Sequence, residues 1–142
     1  MELNQNAMLR GAQLGFAIAL LYGTSRRAFT IEAAHLWLWP AIELQQIQFL
    51  FDGQGGPLAY VTWAYLSPKN SERMRGDEVD YLHLSEWNEG ADLWVIDVVA
   101  PFGHALAVLR AARRALPAAV TAAQGIRRDP SDRICRVAAV SW

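Results

Sequence analysis

The sequence predicts an α+β domain built on a mixed sheet. Three observations carry that expectation. Leu93–Val99 (LWVIDVV) is apolar on both faces, the pattern of a central strand. Asp52–Pro57 (DGQGGP) separates two strand-like runs, and Asp129–Asp132 (DPSD) separates two more, which gives two hairpins. Helical stretches precede the first hairpin, and an amphipathic one follows the central strand. With 142 residues, 53% hydrophobic and 19% charged, the chain suits one folded domain spanning 1–142.

Residues 4–22 read as an apolar helix ending near Gly23, followed by a polar, positive turn, Thr24–Arg27. Thr30 is placed to cap a second helix through about Trp39, with Glu32 favourable in its first turn and Pro40-Ala41 closing it. Gln45–Phe51 and Leu58–Leu66 are the strands of the first hairpin. Ser67-Pro68 starts a short polar helix to about Arg75. Gly76–Asp80 reads as a loop and Trp87–Asp92 as a turn. Pro101–Gly103 breaks the central strand. In the helix His104–Leu116, Leu109, Ala112 and Leu116 fall on one side and Arg110, Arg113 and Arg114 on another.

Lys and Arg number 13 and Asp and Glu 14, which argues against a generally basic nucleic-acid binder. The charge is unevenly spread. Residues 1–100 carry six Lys/Arg and twelve acids, whereas 101–142 carry seven Arg against Asp129 and Asp132. Arginine suits planar recognition of carboxylate or phosphate, although a solvated helix face and hairpin is the plainer reading. The single cysteine, Cys135, excludes an internal disulfide and a multi-cysteine zinc site, and reads as a core residue. Leu14–Tyr22 is too short to cross a bilayer, which takes about 20 apolar residues, and no small-residue cleavage pattern follows it. These features favour the cytoplasm. Six Trp, five Phe and four Tyr hint at surface committed to a partner or an apolar ligand.

Asp97 is the most unusual residue, a carboxylate inside an otherwise apolar strand. Burying it is costly unless it is paired. A satisfied hydrogen bond and a general base are both open readings. His104 begins a helix just past that strand, where free backbone N–H groups favour negative charge, and is a candidate acid/base or ligand contact. His35 reads as a core or interface residue among Leu36, Trp37 and Trp39, and His83 gives no signal. The three histidines lack metal-ligand spacing, so no metal is expected. Gly53, Gly55 and Gly56 lack the Lys-Ser/Thr ending of a phosphate loop.

Several segments fall in one order. They are Trp39–Ile42 (WPAI) followed by Gln46, Gly56–Tyr60 (GPLAY) with Thr62–Ser67 (TWAYLS), Glu86-Trp87 leading through Gly90 to Leu93-Trp94, Leu93–Gly103 (LWVIDVVAPFG), and Gly125–Pro130 (GIRRDP). From about residue 12 to the end, the chain resembles the RTX toxin-activating lysine acyltransferases, the hemolysin-activating protein family. The resemblance implies an acetyltransferase-like (GNAT) fold, with a mixed sheet flanked by helices. It implies a cytoplasmic enzyme, commonly dimeric, that moves a fatty acyl group from acyl-acyl carrier protein, a phosphopantetheine thioester, to the ε-amine of a protoxin lysine. No bound cofactor is implied.

The family's catalytic pair is a His before the second helix and an Asp in the central strand. The Asp corresponds to Asp97. Counting back from Pro40, the His position is taken by Arg26, which cannot act as a base at neutral pH. Under this reading Asp97 takes or orients the lysine proton, Arg26 holds phosphate or an oxyanion, and His104 is a substitute base. Arg110, Arg113 and Arg114, with Arg127 and Arg128, would dock the acidic carrier protein. The acceptor is then a lysine in a protoxin or a precursor peptide. The alternative is a non-catalytic protein of the same fold that binds an acyl carrier or a client.

Overall fold

The first apolar run forms α1, Gln5–Tyr22, capped by Asn4, whose side chain accepts from the Ala7 amide. A 3-10 turn, Ser25–Ala28, leads to α2, Ile31–Glu43, where the Thr30 hydroxyl accepts from the Ala33 amide. The structure is a computed structural model and describes residues 1–76, 81–128 and 134–139. The expected stop at Pro40 is not observed, because α2 carries Pro40 inside and ends at Glu43. Proline in a helix interior costs about 3 kcal/mol. The stripe Trp37, Leu38, Ala41 and Ile42 on either side of it is buried, and each large apolar side chain returns about 1.5–3 kcal/mol. Tertiary burial therefore carries the helix past its proline.

Five strands form one sheet in the order β1-β2-β3-β4-β5: Ile47–Phe51, Pro57–Leu66, Asp92–Val99, Gln124–Arg128 and Ile134–Ala139. β1–β2, β2–β3 and β4–β5 pair antiparallel, while β3–β4 pair in parallel. The sheet is thus mixed and β3 lies at its centre, as the apolar pattern predicts. In the β1–β2 turn, the Asp52 carboxylate accepts from the amides of Gln54 and Gly56. α3, Pro68–Arg75, begins at the Ser67 cap, and α4, Ala105–Ala115, connects β3 to β4.

Helices cover both faces. Under α1 and α2 lie Tyr60, Ala64, Trp94 and Ile96. On the opposite face Val61, Trp63 and Val95 pack with Val108 and Ala112 of α4. Leu116 joins that core, and Leu109, on the same side of α4, packs partly buried against it. Trp37, Trp63, Trp87 and Trp94 are buried. The tryptophan excess therefore goes chiefly into the core, while Tyr22, Phe51, Tyr81 and Phe102 are exposed. The loop beyond Gly76, the DPSD turn and the Cys135 side chain lie outside the described residues. Among the described residues, no helix is long and apolar enough to cross a membrane.

Candidate active site

The position of Asp97 follows from one irregularity in strand pairing. Between β2 and β3 the register runs from Trp63↔Val95 to Thr62↔Asp97, so β3 holds one more residue, Ile96, than β2 across that step. A bulge of this kind breaks the alternation of side chains. Ile96 packs in the core under α1 and α2, and so does Val99, two residues beyond Asp97. Asp97 therefore faces the α1/α2 layer as well. In a regular strand it would have pointed toward α4.

Arg26 meets it there. Its Nη1 donates to Asp97 Oδ1 at 2.8 Å, and the two side chains are only 13% and 7% exposed. Removing two charges from water costs several kcal/mol each, and a close, charge-assisted hydrogen bond offsets much of that. The turn that presents Arg26 is tied at several points. The Thr24 hydroxyl donates to Leu21 O and accepts from the Arg26 amide, and the Phe29 amide donates to Arg26 O. The guanidinium lies 5.8 Å from the Phe29 ring centre. Gly23 allows the turn to approach the end of β3, because a Cβ there would stand 3.1 Å from Pro101 Cβ. Thr62, directly across from Asp97, is fully buried, and its hydroxyl has no hydrogen-bond partner among the described residues.

A cleft opens beside the pair. β3 and β4 are in register at Trp94↔Gln124 and Val95↔Gly125, after which the parallel strands separate. The space beyond, about 480 Å³, is lined by Arg26 and Asp97, by Val98 to Ala100, by Ala105 and Leu109 of α4, and by Ile126 of β4. Its walls come from both layers, so it borders the ion pair as well as α4. Thr24 and Ser25 also line it. Their role was hidden in a turn that the sequence marked only as polar and positive.

The structure brings together Arg26 and Asp97, two of the residues singled out from sequence, across 71 positions. His104 stands apart from them. It occupies the N-cap of α4, its side chain makes no capping bond, and it is not among the residues lining the cleft, although its neighbour Ala105 is. Arg110 and Arg114 are exposed on α4. Arg113 is partly buried and donates to the carbonyls of Pro117 and Ala118 at 3.4 and 3.5 Å. The Arg127 and Arg128 side chains lie outside the described residues. His35 is exposed, not core, and stacks on Trp39 with ring centres 6.0 Å apart. Among the described residues, no three His, Cys, Asp or Glu side chains gather into a metal site.

Residues 7–141 match the model of the RTX toxin acyltransferase family. The leukotoxin-activating lysine-acyltransferase of Mannheimia haemolytica serotype A11 is 46% identical over 65 residues, covering 46% of this chain and 38% of that protein. The leukotoxin-activating lysine-acyltransferase of Aggregatibacter actinomycetemcomitans is 33% identical over 119 residues, covering 82% of this chain and 67% of its own length. The RTX-I toxin-activating lysine-acyltransferase of Actinobacillus pleuropneumoniae is 30% identical over 131 residues, covering 91% and 74%. The chain thus spans between about two fifths and three quarters of these relatives.

Proposed function

The chain belongs to the RTX toxin acyltransferase family, and on that premise we propose that it is a lysine N-acyltransferase. It moves a fatty acyl group from acyl-acyl carrier protein to the ε-amine of a lysine in a protoxin or precursor peptide. The observation that carries this reading is the Arg26–Asp97 pair in the wall of a cleft bounded by β3, β4 and α4. The thioester enters from the α4 side, and the amine approaches Asp97 from the α1/α2 side. The amine nitrogen attacks the thioester carbonyl, its proton passes to the Asp97 carboxylate, and the carrier's thiolate leaves. Guanidinium N–H groups of Arg26 face the developing oxyanion. His104 lies off the cleft walls, so proton transfer falls to Asp97. Arg110, Arg113 and Arg114 attract the acidic carrier protein to α4. The same reading takes the protein as a cytoplasmic homodimer.

A second reading is favoured by Arg26 itself, since a guanidinium stands where the family has its histidine base. It is a non-catalytic protein that binds an acyl carrier or a client. Intact-mass analysis of lysine-containing acceptors, incubated with acyl-acyl carrier protein and this protein, separates the two. A mass gain equal to the acyl chain supports the transferase. Carrier binding without any gain supports the binding protein.

A further inference from the structure

Arg26 also borders a second, smaller hollow. Ile18 and Tyr22 of α1, Phe29 in the connecting turn and Ile31 of α2 form much of its wall. Ile31 is 90% exposed, Tyr22 67% and Ile18 43%. Single exposed apolar residues are ordinary, but three around one concavity beside an ion-paired site mark a binding surface. The polar rim has one sign of charge. Arg27 lies 4.7 Å from the Tyr22 ring centre, and no acidic residue lines the hollow.

Size narrows the occupant. The hollow measures about 160 Å³. A protein cavity of about 150 Å³ holds a benzene-sized group. One aromatic or branched side chain fits, and a long alkyl tail does not. An amine reaching Asp97 from the α1/α2 side brings its neighbouring residues over this same surface. We propose that the hollow is an acceptor subsite. It takes one apolar side chain near the target lysine, and Arg27 pairs with an acidic residue beside that side chain. The assignment rests on the transferase reading, because the lysine is what fixes the peptide's position.

Short capped peptides with one lysine test it, with a Phe-Glu pair moved stepwise away from that lysine. One offset should give an acceptor KM about tenfold lower than its Ser-Glu and Phe-Lys counterparts. Ile31→Ser should raise that KM about tenfold, with kcat and the donor KM unchanged. Arg27→Glu should reverse the preference, favouring the Phe-Lys peptide. Fluorescence anisotropy of the same peptides, labelled and without donor, reads the subsite independently of chemistry. If no peptide is acylated, the transferase reading fails, and the anisotropy still decides the subsite by the presence or absence of the Arg27→Glu charge swap. The proposal is overturned if no offset is preferred. It is also overturned if Ile31→Ser raises the donor KM, as an acyl-tail site would, or if it changes only the oligomeric state, as a contact with a second copy would.

Discussion

Replacing Arg26 by Met removes the guanidinium 2.8 Å from Asp97 and keeps an unbranched stem to pack on Phe29. A buried carboxylate then loses the cation facing it. Breaking such a pair from one side costs about 3–5 kcal/mol. Both side chains retain a little exposure, so the lower end applies, about 3 kcal/mol. For a domain of this size that is a fall in Tm of roughly 10 °C. Asp97→Asn should cost a similar amount, because it removes the carboxylate facing the buried Arg26 charge. The double variant removes both charges together, so it should cost no more than one single variant. The cycle then closes with a coupling of about 3 kcal/mol. Urea unfolding followed by tryptophan fluorescence measures it, since Trp37, Trp63, Trp87 and Trp94 are buried. Single variants within about 0.5 kcal/mol of wild type, with an additive double, would refute a buried, coupled pair.

Three further outcomes follow from other parts of the fold. A Cβ on Gly90 overlaps the Leu66 carbonyl, so Gly90→Ala should cost about 2 kcal/mol or more in the same unfolding assay, whereas Gly53→Ala, in open space, should cost less. Arg110→Glu with Arg114→Glu should raise the KM for acyl-acyl carrier protein and flatten its dependence on salt, with the acceptor KM unchanged; a donor KM indifferent to both would remove α4 as the dock. At Glu86, burial pushes the carboxyl up, but bonds from the His83 amide and Asn70 and the Arg73 charge outweigh it and hold the group below its usual value. That stabilisation is present above the ordinary glutamate range and is lost as pH falls through the lowered value, so Glu86→Gln should flatten the acid side of the stability profile, and an unchanged slope would count against these contacts.

Much of the fold was legible because local chemistry decides it. The DGQGGP turn, the caps at Thr30 and Ser67 and the two-faced apolar run of β3 each act within a few residues. Pro40 was misread because a local rule met a buried stripe formed by distant contacts. The site was half legible. Asp97 stands out as a charge in an apolar strand, but such a strand has no polar face to fix its register. The bulge that turns Asp97 toward α1 and α2 leaves no mark in the sequence. Arg26 emerged only by counting back from Pro40, and the splay of β3 from β4 that makes the cleft depends on pairing alone. His35 reads as a core or interface residue from its apolar neighbours, yet the consecutive Leu36 and Trp37 turn onto other faces of α2, and only Trp39, one turn on, shares the exposed face of His35.

The most direct test of the central claim is a single-turnover rate of acyl transfer from acyl-acyl carrier protein to a lysine acceptor, for wild type and Asp97→Asn. It is measured by intact mass at a temperature where circular dichroism shows both folded. If Asp97 receives the lysine proton, the variant should lose at least about 10²-fold in rate while still binding the carrier protein. A rate within about twofold of wild type would contradict the account, because neutralising the carboxylate would then have removed nothing that the reaction uses.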